Sequence, residues 1–214
     1  MYFVCVNGSP RKKMNSDIMI TAIGERLGEM GAEVRRIDLH DLDYKGCASC
    51  FACKRIGKSS YGKCVTKDDL KGVLEEIRKA DGLFIAAPIF FNDVNGEVRS
   101  FLERLMFQYT IYSNPVKTII ERPIKVGMVY SMNYSKEAYE GSVLKEHLAG
   151  QEARMARALG SVRSHFSFST NQLNNYDGIE YTYFDPAERT RQYREKLPRE
   201  IEEVRKFAEG LVLA

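Results

Sequence analysis

The run Phe3-Val-Cys-Val-Asn-Gly-Ser-Pro-Arg-Lys-Lys-Met-Asn-Ser-Asp17 constrains the fold more than any other stretch of the chain. Its apolar residues end at Asn7, the punctuation Gly8, Ser9 and Pro10 follows, and a helical period begins at Ser16. A strand that feeds a small-residue loop and then a helix makes an anion cradle. The loop and first helical turn carry N–H groups without intrahelical acceptors, and the helix dipole adds partial positive charge. Ser9, Asn15 and Ser16 supply side-chain donors and Arg11 a fixed cation. The turn lacks both Gly-x-x-x-x-Gly-Lys-Ser/Thr and Gly-x-Gly-x-x-Gly, which argues against a nucleoside-triphosphate loop and the usual dinucleotide fold. A phosphate site and a purely structural turn remain.

Further along, Ile18, Ile23, Leu27 and Met30 hold the first helix, and Gly28 and Gly31 mark its end. Residues 33–39 alternate as a second strand. Asp68 or Asp69 is placed to cap a helix through about Arg78. Gly82 to Pro88 is a continuous apolar run, as a strand buried on both faces of a parallel sheet requires. It opens into Ile89-Phe-Phe-Asn-Asp-Val-Asn95, and a helix follows over about 96–107. Residues 108–122 are poorly periodic. Ile124 to Tyr130 makes a fourth strand ending in Ser131-Met-Asn-Tyr134, then a helix spans about 141–159 and a fifth strand 161–169. Asp185-Pro-Ala-Glu188 is a capping-box pattern, and Pro198 is expected to restart that last helix. Five strands alternating with helices give an α/β doubly wound parallel sheet with helices on both faces. One domain covers 1–214, with a Cys-rich loop at 44–66 and a C-terminal wrap and helices at 170–214. Ligands on such sheets sit beyond the carboxyl ends of the strands, so the loops after strands one, three and four should converge.

The net charge of +3 comes from interleaved signs and does not call for nucleic acid. No apolar run reaches the ~18 residues of a membrane span, and Tyr2 to Val6 is too short for a signal peptide. A cytoplasmic protein is expected, with five cysteines kept reduced or used for metal or redox chemistry.

Two chemistries compete for the first loop. Cys5-x5-Arg11 has the spacing of low-molecular-weight phosphotyrosine phosphatases, and Asp185-Pro186 resembles their late general-acid motif. Cys5, however, lies two residues before the strand ends, and Lys12 stands where Ser or Thr is expected. The other reading rests on Asn7-Gly-Ser-Pro-Arg11 with Asn15-Ser16, and on Ala80-Asp-Gly-Leu-Phe-Ile-Ala-Ala-Pro-Ile-Phe-Phe91 with Gly96, Phe101 and Glu103-Arg104. Together these resemble the NAD(P)H-dependent FMN reductases and iron–sulfur flavoproteins, although Arg99 and Glu103 stand where Lys and Asp are common. The resemblance runs from Met1 to about Met132 and more weakly beyond. It implies a flavodoxin-like sheet of order 2-1-3-4-5, with Ser9, Arg11, Asn15 and Ser16 on the FMN phosphate. It further implies that Pro88, Ile89, Phe90, Phe91, Asn92 and Asp93 line the flavin ring, with Ser131 and Met132 approaching its other side. A planar ring with a polar edge needs such an apolar shelf with a few amides. Passing electrons between a nicotinamide and a flavin needs stacking rather than a side-chain acid, so no catalytic base is assigned.

Cys47-x2-Cys50-x2-Cys53-x10-Cys64 is the third constellation. Its rhythm can wrap three corners of a 4Fe–4S cluster with a remote fourth thiol, while a zinc site or free thiols stay open. The compact motif of iron–sulfur flavoproteins resembles it but usually has a shorter last gap. His40, His147 and His165 show no ligand spacing and are expected to be satisfied structural residues. Arg189, Arg191, Arg194, Lys196 and Arg199 interleave with glutamates as a solvated ion-pair face. Tyr176, Tyr181, Tyr183 and Phe184 form a patch suited to a lid or a subunit contact. The expected function is an FMN-dependent oxidoreductase taking electrons from NAD(P)H or ferredoxin to a quinone, flavin or other small acceptor. A flavodoxin-type electron carrier is the alternative, and the resemblance implies a homodimer or homotetramer.

Overall fold

The structure, a computed structural model, describes residues 1–213. The elements run β1 (Tyr2–Asn7), α1 (Asn15–Glu29), β2 (Glu33–Asp38), α2 (Leu70–Lys79), β3 (Gly82–Phe90), β4 (Asp93–Val94), α3 (Gly96–Phe107), β5 (Thr110–Ile111) and β6 (Lys117–Thr118). They continue with β7 (Ile124–Ser131), α4 (Lys136–Glu140), α5 (Val143–Leu159), β8 (Gly160–Ser167) and α6 (Pro186–Leu213). The five parallel strands order as β2-β1-β3-β7-β8, the expected flavodoxin-like 2-1-3-4-5.

Alternation along the buried strands sorts the core into two layers. Phe3 and Cys5 of β1, with Phe84 and Ala86 of β3, pack under α1 and α6 against Met19, Ile23, Leu27, Val204 and Leu211. Val4 and Val6, with Leu83 and Ile85, face the opposite layer of α2, α3 and α5 through Leu74, Ile77, Phe101, Leu105 and Leu148. The pairing aligns the strand ends: Asn7 lies opposite Ala86, Pro88 opposite Ser131, and Ser131 opposite Ser167. The loops that follow therefore open at one edge.

Gly8 is where that edge is tightest. Its N–H donates to the Ala86 carbonyl at 2.8 Å, and a Cβ there would lie 2.1 Å from Val98 Cγ2. Only glycine lets the first loop press against β3 and α3.

Several expectations are corrected. Neither Asp68 nor Asp69 caps α2: Asp69 accepts the Asp43 N–H at 2.8 Å, and Asp68 pairs with Arg104. Pro198 does not restart a helix, since α6 runs unbroken from Pro186 to Leu213. The lost hydrogen bond falls on the solvent side, where Pro198 and Arg194 are exposed, while Tyr193, Val204 and Leu211 hold the buried stripe. Asp185 does cap this helix, accepting from Ala187 and Glu188 N–H, but Glu188 turns to Arg191 rather than completing the box. Residues 108–122 contain the short β5–β6 hairpin, and the helix expected from 141 is preceded by α4. Among the described residues, no helix is long and apolar enough to cross a membrane.

Candidate functional site

Ser9, Arg11, Asn15, Ser16, Pro88, Ile89, Phe90, Ser131 and Met132 all line one cleft at the carboxyl edge of the sheet. Three separate loops supply them, as a switch point requires. Asn7 shapes the first loop from beneath: its Oδ1 accepts the Ser9 N–H at 3.0 Å, and its Nδ2 donates to Asp38 at 2.8 Å and Asp17 at 3.2 Å. Arg36 pairs with both Asp17 and Asp38, and holds the Asp38 carboxyl far below the usual carboxylate range. Arg36, with Lys12 at 3.2 Å from Asp38, offsets much of the acidic charge where the loop meets α1. There α1 begins without a side-chain cap, so the N–H groups of Asn15 and Ser16 have no intrahelical acceptor. Ser16 Oγ lies 2.5 Å from Ser131 Oγ and fastens the cradle to the end of β7.

The structure divides the residues expected at the ring. Pro88, Ile89 and Phe90 face the cleft, whereas Phe91, Asn92 and Asp93 do not line it. β3 and β4 pair antiparallel through Phe90 and Asp93, and the two residues between them have φ of +50° and +63°. That is a type I′ hairpin turn with Phe91 and Asn92 at its centre. Phe91 is fully exposed at the tip, Asn92 accepts from the Tyr134 hydroxyl at 2.8 Å, and Asp93 binds Arg99 at 2.9 Å. A bulky residue in the left-handed region is strained, and such strain gathers at ligand clamps. Replacing Phe91 by Asn, which tolerates that region, is expected to raise stability by about 1 kcal/mol. A urea midpoint that rises at constant slope is the measurement.

Sequence reasoning missed a strap at 170–173. The Asn171 carbonyl accepts from Asn15 Nδ2 at 2.7 Å, and the Gln172 carbonyl accepts from Arg11. The Tyr176 hydroxyl gathers the strap by accepting from Gln172 and Leu173 N–H and donating to Asn171 Oδ1. Asn15 Oδ1 is buried without a partner in the cleft. Tyr176, Tyr181 and Phe184 pack together, Arg189 lies over Phe184, and Tyr181 accepts from Asn133 beside Met132. The aromatic patch therefore packs behind the strap and Asn133, which line the cleft, and does not line it itself. The sequence signal was present in the Asn-rich run 171–175, which reads as surface wrap without its partners.

Cys47, Cys50, Cys53 and Cys64 line a single cavity with Arg104, Phe107 and Gln108. Among the described residues, however, no three thiols, imidazoles or carboxylates stand close enough to hold a metal ion. Ser49 and Phe51, at φ of +53° and +56°, lift Cys50 into solvent, while Cys53 is buried with its thiol pushed up by desolvation. Cys5 sits in the core, its thiol pushed up to about 12 by burial, and is absent from the cleft. A nucleophilic thiolate is not available there. The histidines are scattered: His40 meets Asn95 at 3.2 Å, whereas His147 Nε2, though 3.2 Å from Asp93, and His165 Nε2 are both buried without a hydrogen-bond partner, against expectation. The late basic run forms ion pairs along α6, including Arg191 with Glu188 and Glu195, and Lys196 with Glu200.

A family model described as NADPH-dependent FMN reductase matches residues 1–148. An iron–sulfur flavoprotein of Archaeoglobus fulgidus is 35% identical over 104 residues, covering 49% of this chain and 48% of that protein. An iron–sulfur flavoprotein of Methanocaldococcus jannaschii is 24% identical over 146 residues, covering 68% and 69%. The match to the first of these spans about half of its length. An NAD(P)H:quinone oxidoreductase from Methanothermobacter marburgensis superposes with a TM-score of 0.71 at 18% identity, covering 99% of this chain and 98% of that one. An FMN-dependent NADH-azoreductase from Bacillus anthracis, solved with FMN, gives 0.65 at 12% identity, covering 99% of each chain. At these identities the superpositions establish the fold, and the family model establishes descent: the chain belongs to the NADPH-dependent FMN reductase family.

Proposed function

We propose that the chain binds FMN in this cleft and passes electrons from NAD(P)H to a quinone, free flavin or similar small acceptor. One observation carries the reading. The cleft combines Arg11 with an apolar shelf, and among the described residues Arg11 is the only ionisable side chain that lines it. A site without acid, base or nucleophile suits a bound group that brings its own reactivity. The chemistry of the cradle also suits a phosphate, since Arg11 and the uncapped start of α1 line the same cleft.

FMN, when bound, accepts and gives up electron pairs; the protein's part is placement. Arg11 and the first turn of α1 would hold the phosphate, and the Ser16–Ser131 contact fixes the cradle against β7. Pro88, Ile89 and Phe90 would give the ring a dry face, with Ser131 and Met132 opposite. Asn133, Thr170 and Gln172, which the sequence reading did not single out, close the remaining side. The absorption spectrum of the purified protein, before and after adding FMN, tests the assignment. Flavin bands shifted on binding, with NADPH oxidation that depends on an added benzoquinone, support an enzyme. Bound flavin without such turnover leaves the electron-carrier reading, and no flavin uptake overturns both.

A 4Fe–4S cluster on Cys47, Cys50, Cys53 and Cys64, with ferredoxin as donor, is the second reading. Four thiols on one cavity favour it. As placed they do not fit a cluster, so no electron path is derived through one. Iron and acid-labile sulfide of about four each per chain after anaerobic reconstitution would support it; zinc or no metal would exclude it. The homodimer or homotetramer implied by the resemblance is read out by sedimentation.

A further inference from the structure

A second pocket lies against the cysteine loop and shares no residue with the cleft just described. Its volume is about 570 Å³, within the range of small-molecule sites. Met106 and Phe107 from the end of α3, Val116 from the β5–β6 hairpin and Ala158 from α5 make its apolar walls. Phe107 belongs to an aromatic trio with Phe51 and Tyr112, at centroid distances of 5.5 and 6.1 Å. Around these walls stand Lys117, Arg154 and Arg157.

The charge balance decides what such a pocket takes. Some surface cations are matched, as Arg26, Arg36, Arg99, Arg122 and Arg191 bind carboxylates, and others such as Lys58 and Arg55 stand alone among the described residues. Among the described residues, Lys117, Arg154 and Arg157 have no carboxylate within 4.0 Å, although all three line the same pocket. The single carboxylate on the lining, Glu103, is turned toward Arg99 at 3.8 Å and the Cys47 N–H at 3.4 Å. Gathering three like charges around an apolar floor is unfavourable until a counter-charge arrives. Arginine forks match a planar carboxylate or sulfonate in a bidentate way, and the aromatic and thioether walls match a flat apolar body.

We propose that this pocket binds small organic anions with a planar apolar body and an acidic group. Cys47 and Phe107 line both this pocket and the cysteine cavity, so the occupant rests against the cysteine loop. The site owes nothing to FMN, because no residue of the flavin cleft contributes to it.

Calorimetric titration of the full chain with 2-naphthoate, and with neutral 2-naphthamide as control, tests the proposal. Naphthoate is expected to bind at one site per chain, at least about tenfold more tightly than the amide. The Arg154→Gln/Arg157→Gln double variant, altered only at exposed positions, should lose that preference, and Val116→Glu should repel the anion from the hairpin side. Arg11→Ala should leave naphthoate binding unchanged, which separates this pocket from the flavin cleft. Equal affinity for acid and amide, or naphthoate binding that survives both pocket variants, overturns the proposal. Loss of naphthoate binding in Arg11→Ala places the anion in the cleft and overturns it too.

Discussion

Arg11→Ala is expected to weaken FMN binding by roughly ten- to a hundredfold, the ~1.5–3 kcal/mol of a charge-assisted contact, while riboflavin affinity stays nearly the same. The contrast follows from where Arg11 stands. It lines the cleft together with the uncapped start of α1, whereas Pro88 to Phe90 reach the same cleft from the end of β3. Removing the guanidinium therefore removes a phosphate partner and leaves the ring face intact. Arg11 also donates to the Gln172 carbonyl, so the variant loosens one of two ties between cradle and strap. The Asn15 tie to Asn171 remains. Arg11→Lys separates the effects: it keeps the charge, loses the planar fork, and should fall between wild type and alanine. Fluorescence titration of the flavin-free protein with each ligand is the measurement. An equal loss for riboflavin would show that the strap, not the phosphate contact, was removed. Unchanged FMN affinity would place the phosphate elsewhere.

The parts of this site that could be read from sequence are those built by contiguous residues. Asn7 to Ser16 carries strand end, loop and helix start in one run, and Gly82 to Phe90 carries a buried strand with its exit. Each announces itself through apolar continuity and small-residue punctuation, so the parallel sheet and the cradle could be read together, while the strand order came with the family resemblance. The rest depends on partners distant in sequence. Asn171 and Gln172 lie 156 and 161 residues from the side chains they receive, and nothing local distinguishes them from surface wrap. Phe91 and Asn92 form a two-residue hairpin without the Asn-Gly pattern that marks one, because tertiary packing imposes the turn. Asp68 offered a plausible helix cap, but a buried guanidinium 36 residues away makes the stronger claim on it. Pro198 reads as a breaker only if its place on the solvent face of α6 is unknown.

That same carboxylate gives the largest stability effect expected in the molecule. Arg104 has only 1% of its side chain exposed and meets Asp68 through both terminal nitrogens, one at 3.0 Å. It also donates to the Lys45 carbonyl at 3.2 Å, tying the start of the cysteine loop to α3. The Asp68→Ala variant strands a buried cation, and breaking such a pair from one side costs about 3–5 kcal/mol. That is a large share of the ~5–15 kcal/mol that holds a typical domain together. The reverse change, Arg104→Met, should cost less, because Asp68 is 15% exposed and its freed carboxylate can take water. The double variant Asp68→Leu/Arg104→Met should recover most of the loss, since two apolar side chains leave no charge to desolvate. Urea unfolding of the three variants gives the comparison, with midpoints read at constant slope. Arg104 also lines the cysteine cavity, so Asp68→Ala should speed thiol labelling of Cys64 under conditions where the chain stays folded. A cost below about 1 kcal/mol for Asp68→Ala would mean that solvent screens the pair, as it does at exposed sites. The buried guanidinium would then be stabilised by the Lys45 carbonyl instead, and the cysteine loop would owe its position to the backbone rather than to charge.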